Sequence, residues 1–256
     1  MTDRLLKGRI ALITGASRGI GAATALLFAQ HGAAVAVNYH SNEAAAQAVV
    51  AQITALGGTA IPIQADAGNA DQVAAMVEQT TKTLGPIDTL VLNATSVPRF
   101  LIQPFVQFTW DDFQAMVTGE ISAAFHACKA VIPGMIERKQ GCIIGISSGL
   151  SRTPIEGMSA HSTGKSGLDA FMKTLAVELG PSGIRVNTVA PGMTQTDASA
   201  DYAQQSGRNE WVIRLTPLRR IGTAQDIAGA ILMLASPHAG FVTGAYVPVS
   251  GGIQLT

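Results

Sequence analysis

Cysteine is nearly absent: Cys128 and Cys142 are the only two in 256 residues, and neither stands at a metal-ligand spacing. That excludes a disulfide framework, gives no basis for a metal site, and fits buried thiols in a reducing compartment. Charge is sparse and balanced, with 13% charged residues and seventeen basic groups against seventeen acidic ones. Nothing there provides the basic footprint that nucleic acid or an anionic membrane surface requires. Long apolar runs are missing too, none approaching the ~18 residues of a membrane span. The opening MTDRLLKGRI carries charges and lacks the apolar centre of a signal peptide. The expectation is a cytoplasmic protein with no nucleic-acid partner, no membrane partner and no metal.

What is present is apolar and regular, 47% of the chain being hydrophobic. Abundant Ala and Gly suit helices packed closely on a sheet. Short β-branched runs at 9–14, 33–38, 59–64, 88–93, 141–147, 183–190 and 245–250 read as strands. Between them, helical patterns cover 19–30, 43–56, 71–84, 111–138, 157–180 and 224–236. Continuous apolar strands alternating with helices predict an α/β Rossmann-type, doubly wound fold: seven mostly parallel strands with helices on both faces. No linker or repeat interrupts the pattern, so residues 1–256 read as a single dinucleotide-binding domain. Ligands of such a sheet bind beyond the carboxyl ends of its strands.

The first strand runs directly into TGASRGIG (14–21) and then a helix. Gly15 allows a tight turn, Gly19 lets backbone approach a pyrophosphate, and Gly21 lets helix and sheet pack closely. Ser17, Arg18 and Ile20 complete this candidate phosphate cradle at a helix N-terminus. A carboxylate at the end of strand two would favour NAD. Here that strand ends in Asn38, Tyr39, His40 and Ser41, with no acid before Glu43, while Arg18 can pair with a 2′-phosphate. NADP(H) is therefore the expected cofactor.

The spacing TGxxxGxG resembles the first motif of the short-chain dehydrogenase/reductase family. Further matches are Asp66, Asn93-Ala94, Ser148, Lys165, Asn187, Pro191-Gly192 and the closing VSGG (249–252). They cover nearly the whole chain, and its style is most similar to the 3-oxoacyl-carrier-protein reductase-like members. The resemblance implies that Asp66, with Ala67, contacts adenine and that Asn93 and Ala94 line the adenosine ribose. It places Lys165 on the nicotinamide ribose. Pro191, Gly192, Thr194 and Thr196 then lie near the nicotinamide amide or the phosphates.

One stretch departs from the family. In SAHSTGKSGL (159–168), His161 and Lys165 stand four apart, on one face of a helix. The family has Tyr-x-x-x-Lys there, the tyrosine exchanging the substrate proton. It also has a serine that orients the carbonyl, here Ser148, and an asparagine on the preceding helix, here Glu120. Histidine is the commonest acid–base side chain. A Glu120–His161–Lys165 cluster could restore the charge balance of the site. The other reading is a catalytically weak or silent nucleotide-binding subunit paired with an active homologue. Tyr39, Tyr202 and Tyr246 are distant in sequence from this helix and offer no replacement. Met158 occupies the position where the enoyl-reductase branch carries its tyrosine.

GISSG (145–149) also matches the G-x-S-x-G nucleophile elbow, which makes a Ser–His–Glu hydrolase a third reading. Against it, the loop LSRTPIEG follows, where an elbow needs an immediate helix. The segment at about 194–217 reads as a lid-like insertion by resemblance. The apolar loop ATSVPRFLIQPFVQFTW (94–110) could line an apolar substrate site or pack against that lid. The expected partners are a small-molecule or acyl-thioester substrate and, from the apolar outer positions of helices 111–138 and 157–180, copies of the chain in a homo-oligomer, a dimer or tetramer.

Overall fold

A computed structural model describes residues 4–196 and 208–254. Its strands are β1 (Ile10–Ile13), β2 (Ala34–Tyr39), β3 (Thr59–Gln64), β4 (Thr89–Leu92), β5 (Gly141–Ile146), β6 (Ile184–Pro191), β7 (Thr194–Gln195), β8 (Gly222–Thr223) and β9 (Tyr246–Val249). The helices are α1 (Gly19–Gln30), α2 (Glu43–Ala55), α3 (Ala70–Leu84), α4 (Trp110–Arg138), α5 (Ser159–Leu179), α6 (Arg208–Leu215) and α7 (Ala224–Ala235). Seven strands form one sheet in the order β3-β2-β1-β4-β5-β6-β9, and every pairing in it is parallel. The expected elements therefore stand, with ends moved by a residue or two.

The continuous apolar strands follow from burial on both faces. Ile13, Val91 and Ile144 point into a core with Phe28 of α1, Ile53 of α2 and Ile231 of α7. Their neighbours Leu12, Leu90 and Ile143 point the other way, against Met76 of α3, Met135 of α4 and Met172 of α5. A strand alternates sides at each residue, so two buried faces demand apolar residues throughout. Each such side chain contributes about 1.5–3 kcal/mol of burial. Phe28 is fully buried, so Phe28→Ala would cost about 3–5 kcal/mol.

Side chains cap the starts of α2, α3, α4 and α7, whereas α5, entered from Met158, has no side-chain cap. Asn42 accepts from Ala45 N, Asn69 from Gln72 N and Thr109 from Asp112 N, and Thr223 forms a capping box with Asp226. Helix α1 is uncapped as well: its N-cap position is Arg18, and no side chain caps it. This uncapped end lies where the strand order reverses, since β1 has β2 on one side and β4 on the other.

The expected lid is described only in part. It begins with β7, which pairs in parallel with β8 beyond its far end, a pairing the sequence pattern did not suggest, and it ends around helix α6. Residues 197–207, including Tyr202, lie outside the described residues. Among the described residues, no helix is long and apolar enough to cross a membrane.

Candidate active site

The glycine loop is held open by the ends of three strands. Gly15 and Gly19 have φ of 63° and 55°, in the left-handed region where glycine is favoured. A Cβ on Gly21 would lie 2.5 Å from the Gly15 carbonyl oxygen, so helix α1 packs this close only with glycine there. Gly15 N–H donates to Asn38 Oδ1 at 3.0 Å. Asn93 Nδ2 donates to the carbonyls of Thr14 and Gly15 at 3.0 and 2.9 Å. Thr14 Oγ1 accepts from the backbone N–H groups of Asn93 and Ala94. Asn38 and Asn93 thus use their amides to shape the loop. Their Nδ2 groups are committed to backbone carbonyls, those of Ile63 and Ala65 among them.

Above the loop runs a cleft of about 790 Å³. Gly15, Ser17, Arg18, Gly19 and Ile20 line its floor. Asn38, His40 and Ser41 line it from β2, Asp66 and Ala67 from beyond β3, and Asn93 and Ala94 from beyond β4. Thr196 closes it opposite Gly19. Tyr39, Asn42 and the run Thr95–Pro98 also line it; the last belongs to the loop expected to line a substrate site, whereas Tyr39 and Asn42 were not expected as contacts. Arg18, His40 and Ser41 are exposed at one end, and no carboxylate stands at the end of β2. Uncapped α1 N–H groups, a glycine cradle and a long cleft together fit a dinucleotide with its pyrophosphate on the helix.

Pro191, Gly192 and Thr194 fall outside that lining, at the end of β6. Gly192 N–H donates to Val249 O at 3.0 Å, and a Cβ on Gly192 would lie 2.9 Å from Ser250 Cα. Thr194 is buried, its hydroxyl donating to Gly192 O at 3.0 Å.

The four candidate catalytic side chains come from α4, α5 and the end of β5. Glu120 is 3% exposed, and its two oxygens serve two partners. Oε1 lies 2.9 Å from His161 Nδ1, and Oε2 lies 2.9 Å from Lys165 Nζ. The Lys165 contact is an ion pair off the ideal hydrogen-bond direction; Nζ donates instead to Ile146 O at 2.9 Å. Glycine makes the cluster possible, because a Cβ on Gly164 would lie 2.9 Å from Glu120 Cγ and 3.3 Å from Val117 Cα. Burial alone would push the Glu120 carboxyl up. The Lys165 charge, with the His161 contact, overcomes it and holds the pKa at about 2. A carboxylate accepts only, so His161 Nδ1 carries the proton between them and Nε2 is left for chemistry. Phe100 packs edge-on against the imidazole, ring centres 5.2 Å apart.

Ser148 Oγ accepts from Leu150 N at 3.2 Å, in the short 3-10 turn Gly149–Ser151. Its own proton is left to donate. Ser147 is buried, its hydroxyl without a partner. Among the described residues neither serine hydroxyl bonds to His161, and a 3-10 turn follows β5, so the hydrolase triad is not assembled. Two of the tyrosines distant in sequence stand near the site without meeting His161 among the described contacts. Tyr39 lines the cleft, and Tyr246 reaches to 3.3 Å from the Ser148 carbonyl oxygen.

Comparison with known proteins agrees with this geometry. A family model described as "Enoyl-(Acyl carrier protein) reductase" matches residues 15–254. The chain is 39% identical to a 3-oxoacyl-(acyl-carrier-protein) reductase of Synechocystis sp., covering 98% of each. It is 35% identical to an L-rhamnose 1-dehydrogenase (NAD(P)(+)) of Sphingomonas sp., again covering 98% of each. Among solved structures, a 7α-hydroxysteroid dehydrogenase complexed with NADH and 7-oxo glycochenodeoxycholic acid superposes with a TM-score of 0.92 at 34% identity, covering 99% of this chain and 98% of that one.

Proposed function

The chain belongs to the short-chain dehydrogenase/reductase family of oxidoreductases, and from that premise we propose that it interconverts a carbonyl and an alcohol with NADP(H), His161 exchanging the proton. A 3-oxoacyl thioester or a related ketone is the proposed substrate. The observation that carries this reading is the Glu120 carboxylate, 2.9 Å from both His161 and Lys165.

Each residue has a definite task. Gly15, Ser17, Arg18, Gly19, Ile20 and Gly21 form the pyrophosphate cradle, and Arg18, beside His40 and Ser41, takes the 2′-phosphate. Asp66, Ala67, Asn93 and Ala94 border the adenosine half, while Pro191, Gly192, Thr194 and Thr196 border the nicotinamide half. The bound nicotinamide supplies or accepts the hydride. Lys165 holds the ribose with an N–H not used by Ile146 O. Ser148 donates its free hydroxyl proton to the substrate oxygen. Protonated His161 donates from Nε2 to the same oxygen, and Glu120 stabilises the imidazolium before transfer. Imidazole is shorter than phenol, so the substrate sits deeper than a tyrosine would require.

Phe125 and Val177, 48% and 78% exposed on α4 and α5, support a homo-oligomer, dimer or tetramer; the cytoplasm is its proposed compartment. A second reading rests on the same substitution: with histidine in place of tyrosine, the chain is a silent subunit beside an active homologue. Assays of 3-oxoacyl thioesters and simple ketones with NADPH separate the two. Wild-type turnover supports the reductase; an inert wild type that gains turnover in His161→Tyr supports the silent subunit.

A further inference from the structure

Behind Ser148 lies a hydrogen-bond chain that the reaction scheme does not use. Tyr246 stands on the edge strand β9, and its hydroxyl lies 3.3 Å from Ser148 O and 3.2 Å from Ser151 Oγ. Ser151 Oγ donates to Asp169 Oδ2 at 2.6 Å. The one hydroxyl proton of Ser151 is thereby committed, so Tyr246 is the donor toward Ser151 or Ser148. Asp169, on α5 one turn beyond Lys165, is 7% exposed, and its Oδ1 has no partner. Ser166 Oγ lies 2.8 Å from both Ser151 O and Ser162 O, so its one proton is shared between them. The Arg152 guanidinium carbon lies 3.5 Å from the centre of the Tyr246 ring.

A buried carboxylate with no ion pair among the described residues is costly where only packing is needed. Here it anchors a serine in the very turn that presents Ser148. We propose that Tyr246, Ser151 and Asp169 are positioning residues: they fix the Ser148–Ser151 turn between β9 and α5, and so aim the Ser148 hydroxyl at the substrate carbonyl. The aiming part rests on the carbonyl-reductase reading above; the fixing part does not.

Two readouts on the full chain test this. Hydrogen exchange over residues 147–158 reports the tether whether or not the protein turns over, and steady-state kinetics report the aim. Tyr246→Phe, which keeps the ring and the Arg152 stack, is expected to speed exchange in the turn. It should also lower kcat about three- to tenfold, the size of one neutral hydrogen bond, with NADPH affinity unchanged. Asp169→Asn still offers an oxygen to Ser151 and should lie between wild type and Asp169→Leu. Unchanged exchange in Tyr246→Phe overturns the proposal, as does faster exchange with unaltered kcat. Should the wild type reduce no carbonyl, the reductase reading fails, and exchange alone then decides the fixing role.

Discussion

His161 Nδ1 lies 2.9 Å from Glu120 Oε1 across 41 residues of sequence, and the same carboxylate reaches Lys165. In the resembling family, tyrosine and asparagine hold these two positions and neither is charged. Here both positions are ionisable, and in the proposed reaction the pair acts as one replacement, a histidine proton donor with a carboxylate beside it.

Glu120→Gln should slow carbonyl reduction about a hundredfold, at the low end for losing general-acid assistance. The imidazolium loses its stabilising charge while the hydrogen-bonding shape is kept. NADPH affinity should change little, since Lys165 retains Ile146 O as an anchor. Stopped-flow and steady-state assays separate these effects.

Acid sensitivity follows from the same carboxylate. Its folded-state pKa of about 2 lies below the ordinary 4.5, so its contribution to stability is full above 4.5 and is lost as pH falls toward 2. The size is on the order of 3 kcal/mol. Glu120→Gln, which leaves buried Lys165 without its counter-charge, should be less stable than wild type at neutral pH. The gap should narrow between those two pH values. Urea unfolding across the acid range checks it.

Gly164→Ala tests the close approach of α4 to α5. Alanine in a helix interior normally stabilises by about 1 kcal/mol over glycine. Here the new Cβ would crowd Glu120 Cγ and Val117 Cα, so a loss of about 1–3 kcal/mol is expected, with reduced turnover. Thermal unfolding and kcat should fall together.

Arg18→Ala should weaken NADPH binding about tenfold, the scale of one charge-assisted hydrogen bond, and leave NADH binding unaltered. Fluorescence titration of both cofactors reads this directly. A wild-type preference for NADH would contradict the role given to Arg18.

Much of the fold was legible because its determinants are local. Leu12 and Ile13 are both apolar because the sheet is covered on both faces, and Gly15, Gly19 and Gly21 mark the cradle by spacing alone. The contact of Glu120 with His161 and Lys165 was legible through resemblance, which aligned the three positions, and a carboxylate at position 120 suggested its own partner. Tertiary side-chain reach was not legible. Nothing near Tyr246 in sequence signals that β9 brings it to Ser148. Asn38 and Asn93 were expected as cofactor contacts and do line the cleft, but that their Nδ2 groups also bind backbone carbonyls across strands was not legible. The β7–β8 pairing is two residues long, too short to leave a pattern.

The central claim is that His161 gives the proton. The most direct measurement is NADPH-dependent reduction of a 3-oxoacyl thioester by His161→Phe, with NADPH binding measured on the same sample. The account predicts a rate lowered by ~10²–10⁴ with cofactor affinity retained. A phenylalanine variant that binds NADPH and turns over within a few-fold of wild type would contradict it.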